Sequence, residues 1–209
     1  MGLVFNPRTD FSQHGEQKVI FDYFSKVEPL HKVLVDVGAF GRDMSNTYTL
    51  LKDHGWRGLL VEANPGRAEI VKKEFDGLQV DILNVAVGDK EELLPLYLHS
   101  ELGHDSLLQD WYPQDLTDTF VITRVLPLHK ILSSHEIPCN FDLLSVDTEG
   151  YDEKILTTMF VSSSYRPRMI VTECTSYQDP INLFADYGYQ LLTKTGNPEY
   201  GNFIFVYQE

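Results

Sequence analysis

The sequence predicts an α/β domain: a mostly parallel sheet, helices on both of its faces, and an antiparallel hairpin at the C-terminal end. Three observations predict it. Short apolar runs rich in β-branched residues, at 33–37, 58–61, 80–87, 141–146 and 168–174, read as strands buried on both faces. Segments of helical spacing separate them, and that alternation builds a parallel sheet. Two last runs, 189–193 and 203–207, flank Gly196-Asn197-Pro198-Glu199-Tyr200-Gly201, so they pair as a hairpin.

Taken in order, residues 1–10 form an irregular arm. Phe11 to Gln17 leads into a helix with Ile20, Phe21, Phe24 and Val27 on one stripe, ended by Pro29. Residues 1–30 are thus an arm and helix, and 31–209 the main domain. The first strand runs into a turn, Asp36-Val37-Gly38-Ala39-Phe40-Gly41, whose glycines let backbone approach a ligand. Ser45 is the expected N-cap of the next helix, which turns Tyr48, Leu50 and Leu51 inward and stops at Gly55. The second strand closes at Glu62. Asn64 and Pro65 then supply an N-cap and a proline at the first helical position, opening a helix through Ile70, Val71, Glu74 and Phe75 to Gly77. Val80 to Val87 reads as one strand, although Asn84 and Ala86 interrupt its apolar pattern.

Leu93–His99 and Thr123–Leu128 also read as strands. Between them, Ser100–Phe120 is polar and aromatic, with Glu101, His104, Asp105, Asp110, Trp111, Tyr112 and Asp115 and no clear period. So long an irregular stretch in a compact domain is typically functional, and 93–128 is read as an inserted lid facing a substrate. A short helix covers 128–136. The strand at 141–146 ends in Asp147-Thr148-Glu149-Gly150, and the next helix carries Tyr151, Ile155, Leu156, Met159 and Phe160. Glu173 closes the strand after it. Asp179-Pro180 caps a last helix through Ile181, Phe184, Ala185 and Tyr187, stopped by Gly188.

The chain has 209 residues, enough for one sizeable domain, with 43% hydrophobic and 23% charged residues. A net charge of −14 repels nucleic acid over most of the surface, so neither DNA nor RNA is an expected partner. No apolar run is long enough to span a membrane and no signal-peptide pattern is visible. Cys139 and Cys174 lie at or near predicted strands and read as buried thiols rather than a disulfide, which suits a cytoplasmic location.

In an open parallel sheet, ligands bind beyond the carboxyl ends of the strands, where strand order reverses. Asp36, Gly38, Gly41 and Glu62 belong there, and so do Asp147, Glu149 and Glu173. A nucleoside cofactor fits, with Glu62 accepting hydrogen bonds from ribose hydroxyls. The pyrophosphate fingerprint Gly-x-Gly-x-x-Gly is broken by Phe40, which counts against a dinucleotide. Asn84 and Ala86 suit either an adenine pocket or an edge-proximal strand with one polar face. Glu149 alone is also explained by a helix N-terminus, His104 by surface or capping chemistry, and Gln13 and Glu16 by helix-start chemistry.

Strands alternating with helices and a closing hairpin form the class I methyltransferase pattern, a Rossmann-like sheet. FSQHGEQ at 11–17, VDVGAFGRDMSNTY at 35–48, GWRGLLVEANP at 55–65, NVAVGD at 84–89 and FDLLSVDTEGYDEKIL at 141–156 resemble the FkbM-like family of S-adenosylmethionine-dependent methyltransferases, from Phe11 to about Ser176. Two positions depart from the family's usual pattern: Gln17 stands where an acid is common, and Phe40 where asparagine is. The resemblance implies that Gln13, Asp36, Gly38, Ala39, Gly41, Ser45, Glu62, Ala63 and Asn64 hold S-adenosylmethionine. Asn84, Ala86 and Val87 would lie beside its adenine, and Asp147 would face its methionine end or the acceptor.

The reaction implied is methyl transfer to a hydroxyl oxygen of a small molecule or glycan. Asp147, His104, Glu149 and Glu173 are the candidates for proton acceptor or acceptor positioning. No metal is predicted, because nothing in the sequence fixes a ligand geometry. A homo-oligomer remains open. Two other functions stay in view: a non-catalytic S-adenosylmethionine-binding subunit of a larger assembly and, more remotely, a nicotinamide oxidoreductase.

Overall fold

The computed structural model describes residues 3–101, 103–173, 180–196 and 201–208. The alternation of side chains along the first strand, β1 (Val33–Val37), sets the layers. Val33, Val35 and Val37 pack with Leu128, Ile131, Ile155, Leu156 and Met159 on one face. Leu34 packs with Ile20, Phe21, Leu50 and Trp56 on the other. Each such aliphatic side chain, fully removed from water, contributes about 1.5–3 kcal/mol before entropy is counted.

Helices α1 (Glu16–Phe24), α2 (Tyr48–Asp53) and α3 (Pro65–Glu74) therefore cover one face of the sheet. Helices α4 (Leu128–Ser134), α5 (Asp152–Ser162) and α6 (Pro180–Ala185) cover the other. The remaining strands are β2 (Arg57–Val61), β3 (Val80–Leu83), β4 (Ala86–Gly88), β5 (Glu92–His99), β6 (Leu116–Pro127), β7 (Leu143–Val146), β8 (Met169–Glu173), β9 (Tyr189–Lys194) and β10 (Asn202–Tyr207). The main sheet has the order β3-β2-β1-β7-β8-β10-β9. Every pairing in it is parallel except those of β10, which runs antiparallel to both β8 and β9. Strand order reverses between β1 and β7, and their carboxyl ends are where a ligand belongs.

Several sequence expectations are corrected. Val80–Val87 is not one strand. It breaks at Asn84, whose side-chain amide donates to the carbonyls of Glu62 (2.8 Å) and Ala63 (3.0 Å). Held there, the chain leaves the main sheet, and β4 joins a second sheet of order β4-β6-β5. The insert is built on the antiparallel β5–β6 pair, and β6 extends back to Leu116, so the irregular part narrows to about 100–115. An isolated bridge between Tyr97 and Ser106 folds that part back on β5.

Helix α2 starts at Tyr48 rather than after Ser45. Ser45 still caps it from two residues further out, its Oγ accepting from the N–H groups of Thr47 (3.1 Å) and Tyr48 (3.0 Å). Helix α1 ends at Phe24, which leaves Val27 beyond it. Cys139 is an exposed free thiol in the loop after α4, not a buried one. Cys174, the Asp179 cap and the turn residues 197–200 lie outside the described residues. Among the described residues no helix is long and apolar enough to cross a membrane.

Candidate active site

Three strand ends are laced together by backbone. The N–H groups of Gly38 and Ala39 donate to the Val61 carbonyl (2.9 and 3.1 Å), and Asp147 N–H donates to the Val37 carbonyl (2.9 Å). Gly38 has φ +84°, and a Cβ on it would lie 1.8 Å from the carbonyl oxygen of Asp147. The glycine is thus demanded by the neighbouring chain as much as by any ligand. Against these ends opens a cavity of about 260 Å³.

Gln13, Asp36, Gly38, Ala39, Gly41, Ser45, Glu62, Ala63, Ala86, Val87, His104, Asp147, Glu149 and Glu173 all line it. Asn64 and Asn84 are not among its lining residues. Asn64 Oδ1 caps α3 by accepting from the N–H groups of Gly66 (2.8 Å) and Arg67 (3.3 Å), while its Nδ2 donates to Asp105 (2.6 Å). Asn84 is the brace at the end of β2 already described. Both shape the wall from behind.

The acids are buried, and among the described residues Arg67 is the one arginine or lysine on the cavity wall. Glu62 is 8% exposed and accepts from Asn64 N–H at 2.7 Å. Burial, then the nearby Asp105 charge, pushes its pKa up to about 7. Asp36 is pushed to about 6 by burial, against the pull of a 2.7 Å hydrogen bond from Thr47 Oγ1. Asp147 reaches about 6 through burial and the charge of Glu16, and its Oδ1 has no hydrogen-bond partner among the described residues. Burial and the charges of Asp147 and Glu173 raise Glu149 to about 9; burial and Asp147 raise Glu173 to about 7. Carboxylate oxygens of these last three lie within 4.8 Å of one another, a spacing one divalent ion could bridge. Desolvation and like charge both favour neutralisation, so the cavity favours a positively charged ligand.

The walls come from opposite ends of the chain. Glu16 is 0% exposed; it accepts from His14 N–H (2.9 Å), Asn202 Nδ2 (3.1 Å) and the Thr195 hydroxyl. Gln17, one of the two positions that depart from the family pattern, donates through Nε2 to the Ser45 carbonyl at 2.8 Å. An ionised acid could not make that bond, so the amide suits this chain. Phe40, the other departure, lies under the Arg67 guanidinium, 3.9 Å from its ring centre.

The insert supplies residues that the sequence reading left unassigned: Asp105, Leu96 and Tyr112 line the cavity, as do Arg67 and Tyr151. Asp105 and Tyr112 carried a signal in the polar, aromatic composition of 100–120; Leu96 carried none. The insert is anchored at Glu149, a non-glycine residue with φ +52°. Ser106 Oγ donates to its carbonyl (2.7 Å) and Trp111 Nε1 to its carboxylate (3.0 Å). The Trp111 ring rests on Gly150, where a Cβ would come within 2.7 Å of it. Asp152 pins the same turn, accepting from the Thr148 N–H (3.2 Å) and hydroxyl (2.9 Å).

A sheet in this order, with one antiparallel strand inside its edge and a nucleoside-sized cavity at the β1/β7 switch, defines a class I methyltransferase. The family model for the methyltransferase FkbM domain matches residues 36–191, and the chain belongs to that family. S-adenosylmethionine is its cofactor. The buried acids and the orphaned Asp147 oxygen fit that ligand, whose sulfonium and ammonium are both cationic.

Solved structures agree on the fold. A protein described as a methylase from Haemophilus influenzae superposes with a TM-score of 0.53 at 12% identity, over 92% of this chain and 88% of that one. One described as a methyltransferase from Escherichia coli gives 0.52 at 10%, over 99% and 88%. The METTL16 methyltransferase domain gives 0.52 at 14%, over 92% of this chain and 65% of that chain. No curated protein matches the sequence.

Proposed function

We propose that the protein methylates a hydroxyl oxygen of a small, uncharged, hydroxyl-rich acceptor such as a sugar. One observation carries this reading. Among the described residues the cavity is lined by six carboxylates, those of Asp36, Glu62, Asp105, Asp147, Glu149 and Glu173, against a single arginine, Arg67, whose guanidinium is already over Phe40. Carboxylates accept hydrogen bonds from hydroxyls and repel phosphates and other anions.

In this reading Glu62 accepts from the two ribose hydroxyls, and Ala86, Val87 and Leu96 give the adenine an apolar wall. Asp36 and Asp147 face the cationic methionine end. The sulfonium supplies an activated methyl group; the chain supplies position, a water-poor wall and a place for the acceptor's proton. The test is transfer of labelled methyl to a panel of neutral sugars, the matching sugar phosphates and an RNA. Label on neutral sugars alone supports the proposal. Label on phosphorylated sugars or RNA overturns it, and tight cofactor binding with no transfer to any of them favours the binding-subunit alternative.

A further inference from the structure

Segment 100–115 holds one arrangement that cofactor binding does not use. His104 Nδ1 and Asp115 Oδ2 lie 2.7 Å apart. The His104 ring stacks on Tyr112, with centres 3.9 Å apart and planes 18° from parallel. The imidazole is therefore fixed within its plane by a carboxylate and across its plane by a phenol. The Asp115 side chain is only 10% exposed, while that of His104 is 32% exposed and lines the cavity. Burial works to raise the Asp115 carboxyl, but the His104 hydrogen bond and charge outweigh it and hold the pKa below the usual range. An ionised carboxylate can only accept, so Nδ1 must donate, which places the lone pair of a neutral ring on Nε2. Nε2 has no partner among the described residues.

Tyr112 ties this ring to the acidic side of the cavity. Burial, then the charges of Glu149, Glu173 and Asp147, push its phenol well above the usual range. Glu149 itself is occupied in anchoring the insert, through its carbonyl to Ser106 and its carboxylate to Trp111.

We propose that His104 Nε2 takes the proton of the acceptor hydroxyl, that Asp115 is the positioning residue fixing the His104 tautomer, and that the acceptor binds against residues 103–115. The acceptor's O–H bond breaks and its proton goes to Nε2. The oxygen's electron pair forms the new bond to the methyl carbon, and the pair of the breaking carbon–sulfur bond stays on sulfur. The resulting imidazolium is stabilised by Asp115, then loses its proton to solvent. This inference rests on the O-methyltransferase reading, so its test includes a measurement that needs no acceptor.

Long-range proton–nitrogen spectra of nitrogen-15-labelled protein should show His104 with a protonated Nδ1 and a bare Nε2 at pH 8. Asp115→Asn should reverse or mix the tautomers, and Asp115→Glu should retain the wild-type one. In transfer assays with labelled S-adenosylmethionine and neutral sugars, His104→Ala should lower kcat roughly a hundredfold or more, with partial rescue by added imidazole. Asp115→Asn should lower kcat at least tenfold and leave S-adenosylhomocysteine affinity within about twofold. A wild-type ring protonated on Nε2 overturns the inference whether or not any sugar is methylated. Wild-type turnover in His104→Ala overturns it too, whereas the expected tautomers with only non-sugar acceptors methylated would overturn the sugar assignment alone.

Discussion

The main-sheet strand ends and the insert form two walls of one cavity, and they are built in opposite ways. The β1, β2 and β7 ends are fixed by backbone: three strand-end hydrogen bonds and a glycine with no room for a side chain. The insert has its own backbone ladder in the β5–β6 pair, but it is tied to the strand ends by side chains, chiefly Ser106 and Trp111 on Glu149 and Asn64 on Asp105. A wall held by backbone tolerates little change and suits the part of the site that meets an invariant cofactor. A wall held by side chains can be rebuilt residue by residue, and that suits the part that meets an acceptor.

This contrast can be broken at either wall. The largest effect is expected for Gly38→Val. Its Cβ would fall on the Asp147 carbonyl, and φ +84° is strained for any branched residue, so a loss of roughly 3 kcal/mol or more is expected. Thermal melting should show an unstable or unfolded variant; a native melting curve would mean that the strand ends are not locked as described. Because of that cost, this variant cannot report on cofactor binding alone.

Next comes Glu62→Ala, which removes the acid expected to meet the ribose. It should weaken S-adenosylhomocysteine binding at least about tenfold in calorimetry, a loss of about 1.4 kcal/mol or more. An unchanged affinity in a folded variant removes Glu62 from the cofactor contact.

Trp111→Phe probes the other wall more gently. It keeps a ring over Gly150 and loses one hydrogen bond, worth about 1 kcal/mol. Sugar turnover should fall while S-adenosylhomocysteine affinity changes by less than about threefold. If affinity falls as much as turnover, the two walls are not functionally separate.

A last comparison concerns pH. Glu62, Glu149 and Glu173 are raised to about 7, 9 and 7, and Asp36 and Asp147 to about 6. The folded state therefore binds more protons than the unfolded chain between about pH 4 and 9, and stability falls as pH rises through that window. The ligand-free melting temperature should therefore rise from pH 8.5 to pH 6. Saturating S-adenosylmethionine should flatten the slope, because its cationic groups favour the ionised acids. A melting temperature that instead climbs with pH would show that the acids are not neutralised by burial.

The two walls were also unequally legible in the sequence. The β1-turn-α2-β2 unit could be read because β-branched runs, Gly38, Gly55 and the Asn64-Pro65 pair are local signals. The break at Asn84 could not, because its cause is a pair of carbonyls, on Glu62 and Ala63, delivered by another strand. The Leu116–Phe120 end of β6 has no strand-like apolar run and owes its conformation to pairing with β5. Gln17 and Phe40 looked like departures from a pattern until their partners, the Ser45 carbonyl and the Arg67 guanidinium, were in place. The His104–Asp115 pair lies eleven residues apart in a segment without period, where spacing predicts nothing.

Glu16 has a consequence for how the chain is made. Its carboxylate lies in the first helix, yet one of its donors, Asn202, opens the last strand, 186 residues later. On the ribosome, α1 cannot bury Glu16 with its full set of partners until Asn202 has been synthesised. β10 also inserts between β8 and β9, so the sheet closes from the inside only after β10 has emerged. Helix α1 should therefore be less firmly docked on nascent chains halted before Asn202, and more open to proteases than on chains that include β10.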